Sequence, residues 1–184
     1  VQIRAERAEQ LTWRAVMTKA GAIAINPVTV LDLLTGAAID VALILSLSKL
    51  YGLPMTHGGA VALLRQIALG MGGITLSDVV TTLGLSGLKG VLGITAPLTG
   101  GASLAPYVSV AIMQASVAGV MTHAIAKVTQ TYLTNGATWG PDGPKTVIQN
   151  ILATLDEQSI LYRIKTELTA KLKPPAPSHP HPQK

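Results

Sequence analysis

The sequence has no cysteine and no phenylalanine, and little charge: 12% of its 184 residues are Asp, Glu, Lys or Arg, and 3% are aromatic. Without cysteine there are no disulfides, no thiolate nucleophile and no cysteine-ligated metal. Without phenylalanine the core must be built from aliphatic and small side chains. An ordinary soluble domain carries about 25% charged residues, so this chain has little charge with which to cover a water-facing surface. Its net charge is +5, but the Lys and Arg residues are spread out. No basic run has interleaved aromatics, so no nucleic-acid partner is expected.

Motifs that carry chemistry are also missing. No G-x-x-x-x-G-K-[ST] occurs; "GLSGLKG" lacks both the spacing and the Ser/Thr that a phosphate-cradling loop needs. "GMGG" at 70–73 follows no strand and is no dinucleotide fingerprint. No serine sits in G-x-S-x-G. His57, His123, His179 and His181 are scattered, and none has an i, i+4 partner with which to hold zinc on a helix. No catalytic residue, cofactor or metal ligand is expected, and the chain does not read as an enzyme.

What is present is apolar and small: hydrophobic residues are 48% of the chain and there are 18 glycines. Small residues let helices approach closely, in lipid or in tight bundles. Residues 1–25 predict a helix, charged in its first half (Arg4, Glu6, Arg7, Glu9, Arg14) and apolar in its second. The charges read as a solvated face. "VQIRAERAEQ" is no signal peptide and suits the continuation of a longer chain. Asn26-Pro27 breaks the helix.

Residues 28–51 predict a second helix of about 36 Å, ended by Gly52 and Pro54. Thr29, Asp32, Gly36 and Asp40 share a polar stripe about 80° wide; the rest of the circumference is apolar. Further helices are expected over 56–76, with Arg65, over 77–95, with Lys89, and over 107–134. No Asp, Glu, Lys or Arg lies between Lys89 and Lys127. After a turn-rich loop at 135–144, an amphipathic helix over 145–172 is expected, bent near Gln158-Ser159, and then a disordered Pro-rich tail.

A helix apolar almost all round is buried in protein or in lipid, and magnitudes place 28–51 between the two. Ten Leu, Ile or Val residues lie between Val30 and Ser48. Each favours insertion by roughly 0.5 kcal/mol, against about 3 kcal/mol for a central Asp. With Asp32 nearer the end, the sum is close to zero. An intramembrane charge needs a partner, and Arg65 or Lys89 is the expected partner of Asp40.

The run "AGAIAINPVTVLDLLTGAAIDVALILSLSKLYGLP" resembles the start of the bacterial domain-of-unknown-function family 697, the YcjF-like, GTPase-associated family. The likeness rests on Asn26, Pro27, Asp32, Leu50, Tyr51 and Gly52, and on the Gly-rich helices that follow. It covers roughly residues 15–135. It implies an all-helical, hydrophobic domain, usually membrane-associated and often following a small GTPase domain. It implies no activity of the domain itself, and so no catalytic residues.

The expected architecture is therefore an all-α, multi-helix bundle of hydrophobic Gly/Ala-rich helices, associated with a membrane. Its parts are an N-terminal helix (1–25), a hydrophobic helical domain (26–135), a loop with an amphipathic helix (136–173) and a tail (174–184). Its expected role is to anchor or regulate a partner, a GTPase foremost, at a bacterial inner or internal membrane. A soluble, cytoplasmic interaction or homo-oligomerisation module is the alternative. A third reading is a pore with Asp40, Arg65 and Lys89 along a path. Asn26, Pro27, Asp32, Asp40, Tyr51, Gly52, Arg65 and Lys89 are the candidate structural or partner-contact residues. For Asp32 and Asp40 the functional reading is an ion or proton site. The structural one, which we favour, is that Asp32 caps the turn and Asp40 pairs with a buried base.

Overall fold

The computed structural model describes residues 2–25, 31–71 and 105–172, and among them the only regular elements are six α-helices. They are α1 (Gln2–Ile25), α2 (Leu31–Leu50), α3 (His57–Gly70), α4 (Ala105–Thr134), α5 (Gly143–Ala153) and α6 (Glu157–Leu172). Asn26, Pro27, Lys89, the expected 77–95 helix and the tail lie outside the described residues.

Each helix follows from local chemistry. In α1, Ala8, Thr12, Val16 and Ala20 recur every fourth position and are buried along one stripe. In α2, Val41, Leu43, Ile44 and Leu47 are buried, while Ala37, Ala38, Ala42 and Lys49 are exposed. Its outward face is therefore mostly alanine. Gly52 ends α2 as expected, at φ +74°. Its N–H donates to the Lys49 carbonyl (3.1 Å) and that of Leu53 to Ser48 (2.9 Å), a Schellman closure that a left-handed glycine makes possible. Thr56 caps α3 by accepting the Gly59 N–H at 3.1 Å.

Helix α4, about 45 Å long, is the axis of the bundle and is buried on nearly every side from Ala111 to Val128. One core joins Val41 and Ile44 of α2, Leu63 and Ile67 of α3 and Val128 of α4 to Ile148 of α5. A second joins Val16 and Ala20 of α1 and Ile112 of α4 to Ile164 and Leu168 of α6. A third closes the α1–α2 seam with Ala8, Leu43, Leu47 and Leu133. A Cβ on Gly119 of α4 would meet Ile164 Cδ1 at 2.8 Å and Val16 Cγ1 at 3.2 Å, so α1 and α6 approach α4 closely where it has no side chain. On the same seam Trp13 donates its indole N–H to Glu167 (3.0 Å). The Arg163 guanidinium lies 3.7 Å from the Trp13 ring centroid, a cation–π contact.

The expected helix over 145–172 is two helices, α5 and α6. The break falls at Thr154–Asp156 rather than at Gln158-Ser159. Asp156 starts α6 by accepting the Ser159 N–H at 3.1 Å, and an aspartate that can cap competes with helix continuation. These hydrogen bonds from Ser159 hold the Asp156 carboxyl below its ordinary range. A depressed carboxyl stabilises the fold above its unfolded value, and that stabilisation is lost as pH falls through the lower folded value. The elbow is therefore expected to loosen in acid. Asp156→Ala should remove that acid-dependent part of the thermal unfolding profile, while Asp156→Ser keeps the cap without the titration.

Candidate functional site

Asp40 is 4% exposed at the junction of α1, α2 and α4. The site is assembled by three local features. Gly36, one turn before Asp40 on α2, carries no side chain, and the stem of Lys19 from α1 crosses that gap; a Cβ at Gly36 would sit 3.0 Å from Lys19 Cε. The Lys19 ammonium donates to Asp40 Oδ2 at 2.6 Å. From α4, Thr122 donates to Oδ1 at 2.8 Å. Both carboxylate oxygens are thus engaged, one by a charge and one by a neutral hydroxyl.

This arrangement is closed. The side chains of Lys19 and Asp40 are 13% and 5% exposed. Three clefts open among the described residues, and none of them is lined by Lys19, Asp40 or Thr122. A buried charge must be paired and hydrogen-bonded, or its desolvation costs several kcal/mol. Here the pairing is complete, and it draws one residue from each of three helices. The geometry ties α1, α2 and α4 together at one point and engages both carboxylate oxygens.

Among the described residues the base that answers Asp40 is Lys19, in place of Arg65; Lys89 lies outside those residues. Arg65 is exposed on α3, in a shallow groove with Gly58, Val61 and Leu69. A path shared by Asp40 and Arg65 is not formed among the described residues. Asp32 lies in the first turn of α2. Tyr51 is half-buried just past α2, and Arg4 of α1 lies 5.7 Å from its ring centroid. Trp139 packs on Tyr132, with ring centroids 4.8 Å apart, and donates to Gln66 at 3.0 Å. Glu9, read from the sequence as solvated, makes a half-exposed pair with Lys127 at 3.0 Å. Among the described residues no three His, Cys, Asp or Glu side chains cluster.

Spacing alone does not single out Lys19, because the charges of α1 concentrate in its first half. The signal was there: it is the one charge in "VMTKAGAIAI", an apolar half-helix.

Among the described residues, one helical stretch is long and apolar enough to cross a membrane, Ala111–Thr134, and 72% of its most apolar window is buried inside the fold. The family model described as "Domain of unknown function (DUF697)" matches residues 1–157, a longer stretch than the 15–135 resemblance. No curated protein and no solved structure matches the chain.

Proposed function

The chain belongs to the DUF697 family, and on that premise we propose that it is a non-enzymatic helical domain that docks end-on at a membrane and holds a partner there. The observation that carries this reading is a gradient along the bundle axis. Helices α1 and α2 run antiparallel, with Arg4 beside Tyr51 and Lys19 beside Asp40. Helices α1 and α4 also run antiparallel, with Glu9 on Lys127 and Val16 near Gly119. The last turn of α1 and the first turns of α2 and α4 therefore share one end. Arg4, Glu6, Arg7 and Glu9 lie toward the other end, Arg14 is midway along α1, and Asp32 sits in the first turn of α2 at the shared end. Ile25, at the shared end, is 76% exposed. Lys171, in the last turn of α6, is exposed nearby, where it suits anionic headgroups.

The burial of α4 favours a second reading, a helical interaction module without lipid contact. In both readings the bundle works by presenting surfaces, with the buried Lys19–Asp40–Thr122 cluster holding its helices together. A GTPase is the partner that the family resemblance suggests.

Flotation separates the two. The full chain is mixed with neutral or anionic phospholipid vesicles and centrifuged through a density gradient. The membrane reading expects flotation, stronger with anionic vesicles and reduced by Ile25→Lys. Protein that stays at the bottom with both vesicle types overturns it in favour of the interaction module.

A further inference from the structure

His123 is a second buried titratable group, away from the Asp40 cluster. It is 6% exposed on α4, and its Nδ1 is enclosed without a hydrogen-bond partner. Buried polar atoms are nearly always satisfied, so an orphan of this kind calls for a reason. His123 also lines a cleft of about 640 Å³ between α4, the residue after α2 and the α5–α6 elbow, within the size range of small-molecule sites. The cleft lies toward the charged half of the bundle and does not depend on the membrane reading.

The wall of this cleft holds more uncommitted donors than its charges suggest. Lys127 gives one hydrogen to Glu9 at 3.0 Å and keeps two. The Tyr51 hydroxyl and the Asn135 amide also line the cleft and make no hydrogen bond among the described residues. Gln130 is turned toward α1, donating to Thr12 at 3.2 Å. The one carboxylate on the wall, Asp156, accepts the Ser159 N–H as the cap of α6.

We propose that this cleft binds a small oxyanion, a carboxylate or a phosphate, held by Lys127, Tyr51 and Asn135 and by His123 in its protonated form. The charged and titratable groups around His123 are Glu9 from α1, Lys127 from α4, Tyr51 after α2, and Asp156 and Arg163 from the elbow and α6. Empty, the site disfavours the imidazolium: burial pushes the imidazole below its ordinary range, Glu9 opposes this, and Lys127 and Arg163 add to it. An anion in contact with the ring reverses that balance, because an adjacent opposite charge favours the charged form. Binding then takes up a proton, and affinity rises as pH falls.

The test is a titration of the full chain with sodium sulfate at constant ionic strength, followed by the histidine ring resonances. Sulfate keeps its charge across the pH range used. The His123 resonance should move and saturate while those of His57, His179 and His181 do not, and the apparent affinity should be higher at pH 6 than at pH 8. Lys127→Ala should weaken binding about tenfold or more. Tyr51→Phe, which keeps the packing and the charge, should weaken it less. Inorganic phosphate and acetate run alongside identify the preferred oxyanion. Anionic vesicles moving the same resonance when no free anion does would assign the oxyanion to a lipid headgroup. If no anion or vesicle moves His123 selectively, or if neither variant weakens the response, the proposal is overturned.

Discussion

Asp40→Ala is expected to lower the unfolding free energy by about 3–5 kcal/mol, the cost of leaving one partner of a buried ion pair without the other. The ammonium of Lys19 would be held between three helices with no counter-charge, and Thr122 would lose its acceptor. Urea unfolding followed by circular dichroism at neutral pH measures this directly. Asp40→Asn keeps an oxygen for Thr122 and should cost less than alanine. The informative variant is the double replacement Lys19→Met with Asp40→Leu. Removing both charges together is often neutral or stabilising, and Thr122 can turn its hydroxyl back to a carbonyl of its own helix. The double variant should therefore recover most of the loss. A cost for Asp40→Ala below about 1 kcal/mol, the range of an exposed pair, would show that the pair does not hold the three helices.

Ile148→Ala is expected to cost about 2–5 kcal/mol. Ile148 is fully enclosed and is the only fully buried residue of α5, so it is the central anchor of that helix, with Ile151 and Leu152 half-buried beside it. It lies over Gly70 of α3, where an added Cβ would meet the Cβ and Cγ1 of Ile148 at 3.3 Å and overlap its Cδ1. Gly70→Ala alone should therefore cost about 1–3 kcal/mol by overpacking. In the Ile148→Ala background the new methyl enters the space that the isoleucine vacates. The double variant should be more stable than the sum of the single losses predicts, by about 0.5–3 kcal/mol of coupling. Chemical denaturation of all four proteins closes the cycle. Additive losses would mean that α5 does not sit on Gly70.

Much of the architecture was legible because its signals are local. Helix α1 ends at Ile25, one residue before the expected Asn26-Pro27 break, which itself lies outside the described residues, and Gly52 stops α2 through a conformation that favours glycine. The elbow was expected at Gln158-Ser159 and as a bend rather than a break, because the apolar spacing runs on through it from Ile148 to Leu172. A cap three residues before Ser159 outweighed that periodicity. The stripe of Asp32, Gly36 and Asp40 was visible, but the role of Gly36 was not. It is a gap for a lysine stem, and that requires knowing which helix faces it. The partner of Asp40 was misread for the same reason. Spacing along one helix says which face a residue occupies, and says nothing of what crosses to it. The hydrophobicity of α2 and α4 pointed equally to lipid and to core. What the fold adds is that the five other helices pack around α4, so its apolar surface is largely spent within the chain.

The central position of α4 also bears on how the chain is made. The contacts that close the bundle join distant segments: Glu9 to Lys127 spans 118 positions, and Trp13 to Glu167 spans 154. Helices α1 and α2 can meet early, with Lys19 already on Asp40. Val16, Ala20 and Leu47 then lack their α4 and α6 partners until residues beyond 110 leave the ribosome. At about 5–20 residues per second, several seconds of synthesis pass with that surface open. High contact order slows the closure further. During this interval the nascent chain offers a chaperone or a bilayer apolar surface that the finished bundle hides.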